Sequence, residues 1–396
     1  LVKSRVSHRA AIVLAGAVLI GGPAIAGLDE ALDAYWRGNF AAASSELLAL
    51  AKAGSSVAQF MVGVMYEEGQ GVAQDYGEAV KWYRLAAEQG HSYAQFNLGM
   101  MFYRGRGVQQ DYAAAAKWYR LAAEQGDAKA QNNLGLMYAE GQGVPRDYSE
   151  AVRWYRKAAK QGHPYAQFNL ARMYALGRGV DRNYAEALKW YRKAAEQGDA
   201  KAQCSLGRMY AEGQGVARDE VEAVKWYRKA AEHGHAEAQF YLGMMYYSGR
   251  GVAQDGREAL YWFRRAADQR HPLGFFGLGR CYEEGRGVPQ DYSEAVKYYR
   301  LAAEEGNARA RSRLGFLYML GRGVPPDDLL AYALLDLAVS GAASEDTTTA
   351  EARDRVAASL SREQLIAARA LSREMGKPGN FARALDAYLN GRGMLQ

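Results

Sequence analysis

Histidine and cysteine are the residue types in this chain best suited to metal binding or nucleophilic chemistry, and there are 6 of the first and 2 of the second. Four of the histidines, His91, His163, His235 and His271, fall at one recurring position. Elsewhere that position holds Ser55, Asp127, Asp199 or Asn307, the types that start helices by accepting a backbone N–H. Pro164 and Pro272, directly after two of the histidines, suit a first helical position. Zinc would need ligands converging within about 2.1 Å of one ion, and equivalent positions of successive repeats do not converge. These histidines are read as helix caps. Cys204 and Cys281 stand a little over two repeats apart, roughly 20 Å at helix-packing distances, whereas a disulfide needs less than about 7 Å between Cα atoms. Two unpaired, half-buried thiols are expected.

Other catalytic patterns are missing. No serine is followed three residues later by lysine, the spacing that would bring an amine beside a nucleophilic hydroxyl. The many G-x-G turns follow no strand pattern and lead into neither G-x-G-x-x-G nor a P-loop lysine, so they are read as connectors. The tryptophans could stack sugars, but their phase places them on the packed side of a helix. No metal or cofactor is implied, and enzymatic activity is not expected.

The elements that must position these residues follow from a repeat. Trp82, Trp118, Trp154, Trp190, Trp226 and Trp262 share a 36-residue period, and so do the glycines from Gly69 to Gly321 and from Gly71 to Gly323. A fixed period of this length decides the architecture before any local motif does. Ala79, Trp82, Tyr83, Ala86 and Ala87 lie on one helical face, and Ala58, Val62, Met65 and Tyr66 lie on another, so each copy is a helical hairpin. Asp75, with Glu78 three residues on, marks the start of the second helix as a capping pair, repeated at Asp147, Asn183, Asp219, Asp255 and Asp291. The paired glycines end the first helix, and the valine after them is expected to pack inward. Gly63, Gly99, Gly135 and Ala171 should let the facing helix approach closely. Such a hairpin cannot cover its own apolar face, so copies must stack. The expected fold is all-α, a right-handed superhelical solenoid.

Residues 1–26 read as a leader: Lys3, Arg5 and Arg9, an apolar run from Ala10 to Ile20, then Ala24-Ile25-Ala26. The run is shorter than the roughly 20 residues a membrane span needs, so it is read as a signal peptide cut after Ala26, with a periplasmic or secreted product and no integral membrane segment. Its removal would halve the formal net charge of +6. That leaves nothing clustered enough for nucleic acid. Residues 27–57 read as a degenerate helical cap in which Phe40, Ala43 and Gly54 keep the register of Tyr76, Ala79 and Gly90; residues 58–340 hold eight repeats; residues 341–396 form a C-terminal helical cap. Within it a polar loop runs from Gly341 to Thr349 and a helix starts near Ala350. Ser361 with Gln364 caps another helix, broken at Gly376-Lys377-Pro378-Gly379, and Phe381 to Leu389 forms a last short one.

Ala94, Leu98, Gly99, Gly105, Gly107, Val108, Asp111, Ala115, Trp118, Tyr119, Ala122, Ala123 and Gly126 form one copy of a string that resembles the Sel1-like repeat, a relative of the tetratricopeptide repeat. Departures are Phe102 for tyrosine, Glu220 and Gly256 where Tyr76 stands, and Leu334-Leu335 for the aromatic pair. The resemblance implies a scaffold or adaptor, in some members of the cell envelope. Cysteine-rich relatives have been linked to β-lactam binding or hydrolysis, but this chain lacks their cysteine pair in each repeat.

Positions that vary between copies are candidates for binding, because recurring positions serve the stack. Opposite the packed side of the first helices lie Tyr93, Phe96, Asn97, Met100, Tyr103 and Arg104, continued by Asn133, Tyr165, Phe168, Asn169 and Arg172, then Arg208, Phe240, Tyr241, Met244, Tyr247 and Arg280. Aromatic, Met and Arg residues are typical interface anchors. Phe60, Phe96, Phe168, Phe240 and Phe276 could equally pack between copies. The expected ligand is a protein or peptide with acidic character, bound by a monomer in a concave groove, with an exported glycan or peptidoglycan fragment as the alternative.

Overall fold

A computed structural model of the chain describes residues 24–341 and 347–393. Along the chain these residues divide into two compact units, the first ending at Gln197 and the second beginning at Gly198. The first unit holds helices α1 (Ala24–Trp36), α2 (Phe40–Lys52), α3 (Ser56–Glu68), α4 (Tyr76–Glu88), α5 (Ser92–Arg104), α6 (Tyr112–Glu124), α7 (Ala128–Glu140), α8 (Tyr148–Lys160), α9 (Pro164–Leu176) and α10 (Tyr184–Glu196). The second holds α11 (Ala200–Glu212), α12 (Glu220–Glu232), α13 (Ala236–Ser248), α14 (Gly256–Asp268), α15 (Pro272–Glu284), α16 (Tyr292–Glu304), α17 (Ala308–Leu320), α18 (Asp328–Gly341), α19 (Thr347–Ser359), α20 (Arg362–Gly376) and α21 (Phe381–Gly393). Of the expected leader, residues 1–23 lie outside the described residues, while Ala24 to Ala26 open α1.

Local chemistry sets the helix ends. His91, His163 and His235 cap α5, α9 and α13, each Nδ1 accepting the N–H of Ala94, Ala166 or Ala238. His271 departs from the expectation, because its side chain makes no cap bond. At the other end of the first helix, Gly69 is left-handed at φ +70° and the N–H of Gln70 returns to the Met65 carbonyl at 3.0 Å, the bond that satisfies a helix-end carbonyl. Asp75 then starts α4, its carboxylate accepting from Gly77 and Glu78. The expected reciprocal bond from Glu78 is replaced: Glu78 pairs with Lys81 at 2.6 Å. Glu150, Glu186, Glu222 and Glu294 likewise turn to the basic residue three positions on, a neighbour on the same helical face.

Within a hairpin, the small residue of the first helix receives an aromatic ring from the second. A Cβ on Gly99 would stand 2.8 Å from the Tyr119 ring, and one on Gly135 at the same distance from Tyr155; those rings are 2% and 1% exposed. Trp154, Trp190, Trp226 and Trp262 are buried, while Trp82 and Trp118 are half-buried. The turn valines, such as Val72 and Val108, are half-buried against the core.

Between hairpins the second turn glycine makes the contact. A Cβ on Gly107 would lie 2.1 Å from the Tyr76 carbonyl oxygen, on Gly143 2.2 Å from that of Tyr112, and on Gly71 2.3 Å from that of Phe40. The same contact at Gly71 shows that α2 holds the place of a second helix, as its register predicted. A buried glutamine adds a polar rung that the sequence reading overlooked. Gln95 Nε2 donates to the Ala87 carbonyl at the end of the preceding copy's second helix, and Gln95 Oε1 accepts from Gln125 of its own copy. Gln59, Gln131, Gln167 and Gln239 repeat both bonds. An orphaned buried donor or acceptor costs about 1–3 kcal/mol, so each rung holds its register.

The tail closes the second unit. The helix expected near Ala350 starts earlier, at Thr347, and the Ser361–Gln364 capping box forms in full. Ser372 donates to Asp336 at 2.8 Å, tying α20 to α18, while Phe381 and Leu385 of α21 join the core of the last copies. The two cysteines are unpaired as expected, but fully rather than half-buried, at 4% and 0% exposure.

Candidate functional site

The N-terminal unit holds a groove of about 920 Å³ lined in large part by its first helices. It is lined by Phe60, Met61 and Val64 of α3 with Tyr93, Phe96 and Asn97 of α5. Asp127 before α7, Ala128 and Lys129 within it, and His163 before α9 also line it. The turn between α1 and α2 adds Trp36, Arg37, Gly38 and Phe40. Those rings are fixed by one another: Trp36 and Phe40 both stand edge-on to Tyr35, at 5.1 and 5.2 Å, and the Tyr35 hydroxyl donates to Gln70.

Electrostatics here follows burial. His91, stacked on Phe60 at 4.8 Å, is pushed down to about 4 by desolvation. Burial, and then the nearby Lys129 ammonium, also hold His163 below its ordinary range. Asp127 is raised by burial, and Glu68 is raised by burial and by its neighbour Glu67. The histidines are therefore neutral acceptors at neutral pH. Such a surface can accept apolar side chains against its rings and meet polar atoms through Asn97, Gln70 and Lys129. Among the described residues, no three of His, Cys, Asp and Glu come together to hold a metal ion. A second hollow, about 490 Å³ at the start of α18, is lined by Asp327, Asp328, Ser359 and Tyr388 among others; Asp327 there is already bonded to Leu330 and Tyr388.

Of the residues expected to bind, Tyr93, Phe96 and Asn97 line the groove. Met100, Tyr103 and Arg104 continue along α5, and Tyr103 is held by Gln142 at 3.0 Å. Asn133, Phe168 and Asn169 are half-buried, with Asn169 donating to Asn132; Tyr165 is 62% exposed and Arg172 is exposed. In the second unit Arg208 is exposed, Met244 is half-buried and Tyr241 stacks on Tyr227. Two residues need correction. Phe240 and Tyr247 are 6% and 3% exposed, because Phe240 packs on Phe263 and Tyr247 lies against the guanidinium groups of Arg280 and Arg286 at 4.5 and 4.4 Å. Arg280 itself is tied to Glu284 at 3.1 Å, so its charge is already engaged. The alternative for the phenylalanines holds for Phe60, Phe240 and Phe276, each 6% exposed.

Trp36, Arg37, Phe40, Met61, Val64, Lys129 and His163 were missed. Comparison between copies could not find Trp36 and Arg37, because the α1–α2 turn departs from the repeat pattern, and it gave Phe40 only a register with Tyr76, not a place in the groove.

Tandem helical hairpins, stacked through glycine and glutamine, define a helical-repeat solenoid. The Sel1 repeat family profile matches residues 56–91, 92–127, 128–163, 164–199, 200–235, 236–271, 276–307 and 308–341, and the chain belongs to that family. Sel1-repeat proteins are generally non-catalytic scaffolds for protein interaction. Among solved structures, the chain is similar to a protective antigen of uropathogenic Escherichia coli with an SLR fold, at 32% identity over 93% of this chain and 95% of that one, TM-score 0.51. It is also similar to a Sel1 repeat protein from Oxalobacter formigenes, at 35% identity over 62% of this chain and 96% of that one, TM-score 0.56. No curated protein matches it. Among the described residues no helix is long and apolar enough to cross a membrane.

Proposed function

We propose that this protein is an adaptor of the bacterial cell envelope, exported on a cleaved leader, that acts as a monomer and holds a protein or peptide partner on the first-helix face of its N-terminal unit. The observation that carries this reading is the groove of about 920 Å³, in which half-buried Trp36, Phe40, Tyr93 and Phe96 stand beside Asn97 and Lys129. A pre-formed concave surface with aromatic anchors and a few polar groups is where binding energy concentrates. Arg104 and Arg172, exposed on α5 and α9, favour acidic residues in the partner.

The test uses a photo-crosslinking amino acid at Tyr93 in the exported protein. A specific adduct, lost when Phe96→Ala and Trp36→Ala are introduced and weakened by Arg104→Ala with Arg172→Ala, is the expected result. An adduct indifferent to all four changes overturns the assignment of the site. A glycan is the second reading, favoured by Tyr165, which at 62% exposure presents a ring to solvent on the same helix series; retention on a glycan array with no protein adduct selects it. Amino-terminal sequencing of the periplasmic product is expected to begin at Gly27, and a product retaining residues 1–26 refutes processing at that site.

A further inference from the structure

The first residue of each second helix is flanked by two turn side chains, one from the turn that leads into it and one from the same turn of the next copy. Around Tyr76 these are Gln74, which donates to the Tyr76 hydroxyl at 3.1 Å, and Arg106, 5.8 Å from the ring centroid. Two copies carry arginine at both flanks: Arg146 and Arg178 about Tyr148, and Arg218 and Arg250 about Glu220. In the other repeats at least one flank is glutamine, and around Tyr112 both are, as Gln110 and Gln142.

In the second unit the paired arginines close on a carboxylate. Glu220 Oε1 accepts from Arg218 Nη2, and from Arg250 Nε and Nη2 at 2.9 and 2.8 Å. The bonds from Arg218 and then Arg250 hold the Glu220 carboxyl below its ordinary range. The first unit repeats the backbone that carries this pair. A Cβ on Gly179, next to Arg178, would lie 2.2 Å from the Tyr148 carbonyl oxygen, and one on Gly251, next to Arg250, 2.1 Å from that of Glu220. A Cβ on Gly141 would lie 3.1 Å from the Arg146 Cβ, and one on Gly213 3.4 Å from that of Arg218. Arg146 and Arg178 are therefore rooted as Arg218 and Arg250 are. The side chain between them differs. Tyr148 has no carboxylate to give, and the exposed guanidiniums of Arg146 and Arg178 stand 5.7 and 5.6 Å from its ring centroid. Among the described residues neither is paired with an acid. The acids beside Tyr148 in sequence are engaged elsewhere: Asp147 accepts from the N–H groups of Ser149 and Glu150, and Glu150 pairs with Arg153.

We propose that Arg146 and Arg178 form a receptor for a carboxylate from outside the chain, an aspartate or glutamate side chain of a partner protein. Glu220 supplies from within what this copy takes from a partner. Carboxylate is the anion that the same two positions already hold in the second unit, and the planar arginine fork matches its two oxygens. The Tyr148 ring offers a flank for the aliphatic stem of the incoming acid. None of the three residues lines the groove of the first unit, so this is a separate point of contact.

Fluorescence anisotropy with a fluorescein-labelled hexaglutamate peptide at low ionic strength tests the site, with hexaglutamine as the uncharged control. All measurements use full-length protein carrying Arg104→Ala and Arg172→Ala, so that the groove arginines do not contribute. Hexaglutamate is expected to bind and hexaglutamine is not. Arg146→Gln with Arg178→Gln, which copies the flanks of Tyr112, is expected to weaken hexaglutamate about tenfold. Tyr148→Glu, which copies Glu220, is expected to do the same by filling the arginines from within. Tyr112→Glu adds the same charge between two glutamines and should leave binding within about twofold. No binding of hexaglutamate, affinity unchanged by the paired arginine change, or equal losses in Tyr112→Glu and Tyr148→Glu would each overturn the proposal. Tighter binding of polygalacturonate than of hexaglutamate, lost with the same arginines, would overturn the choice of a protein carboxylate in favour of a sugar acid.

Discussion

Replacing Gly143 by alanine isolates the contact on which the stack rests. Gly143 sits at φ +68°, and an added Cβ would lie 2.2 Å from both the carbon and the oxygen of the Tyr112 carbonyl and 2.6 Å from the Ala113 nitrogen. All three atoms are backbone at the start of α6, so no rotamer can clear the space. The left-handed conformation alone costs an alanine about 1–2 kcal/mol, and forcing a methyl into a filled contact adds about 1–3 kcal/mol. Gly162 provides the control, since it has φ +88° and nothing within 4 Å of an added Cβ; Gly162→Ala should cost only the first amount. Urea denaturation followed by far-ultraviolet circular dichroism, with hydrogen exchange across α6 and α7 to localise the loss, would measure both. Exchange is needed because stacked repeats do not unfold in one step as a rule. Gly143→Ala is expected to exceed Gly162→Ala by about 1–3 kcal/mol and to loosen α6 and α7 together. Costs equal within about 0.5 kcal/mol would refute the idea that glycine is there for the layer contact.

Two further outcomes follow from burial. His91 accepts the Ala94 N–H through its unprotonated Nδ1 and is depressed to about 4 from an unfolded value near 6.5. The unfolded chain therefore binds the proton more readily. The stability tied to burying a neutral His91 is complete above about pH 6.5 and falls by about 3 kcal/mol as pH drops towards 4, because the buried ring resists protonation and the protonated ring can no longer accept the cap bond. His91→Asn, which copies Asn307, should flatten the stability profile of α5 between pH 7 and 4.5, and parallel profiles for the two proteins would rule the cap out as the cause. The thiols of Cys204 and Cys281 are both raised by burial, the second to about 12. Ellman's reagent at pH 8 should label neither in the folded protein and both in denaturant, without prior reduction; labelling of only one on unfolding would contradict two free thiols.

The groove gives these stability arguments a functional edge. His91 stacks on Phe60, which lines the groove, and His163 lines it too. The caps that hold α5 and α9 also hold residues that line the groove, so acid should loosen the groove before the unit unfolds.

Much of this protein was legible in one dimension because its interactions recur. The phase of Ala79, Tyr83, Ala86 and Ala87 fixes the buried face of α4, since helical geometry alone decides which side chains share a side. Helix caps depend on residues three apart, which is why Asp75, Ser361 and three of the four histidines could be assigned. Contacts across copies were a different matter. Sequence marks the glutamine at 59, 95 and 131 as recurrent, yet only the packed layers reveal that it joins one copy's helix end to the next. Likewise Phe240 and Tyr247 look like surface residues on a helical wheel, and become core when neighbouring helices close over them. The α1–α2 turn enters the groove through folding that no period announces. Local geometry is set by neighbours along the chain, so composition and spacing determine it; accessibility is set by what other copies bring against a side chain, and that is decided only when they stack.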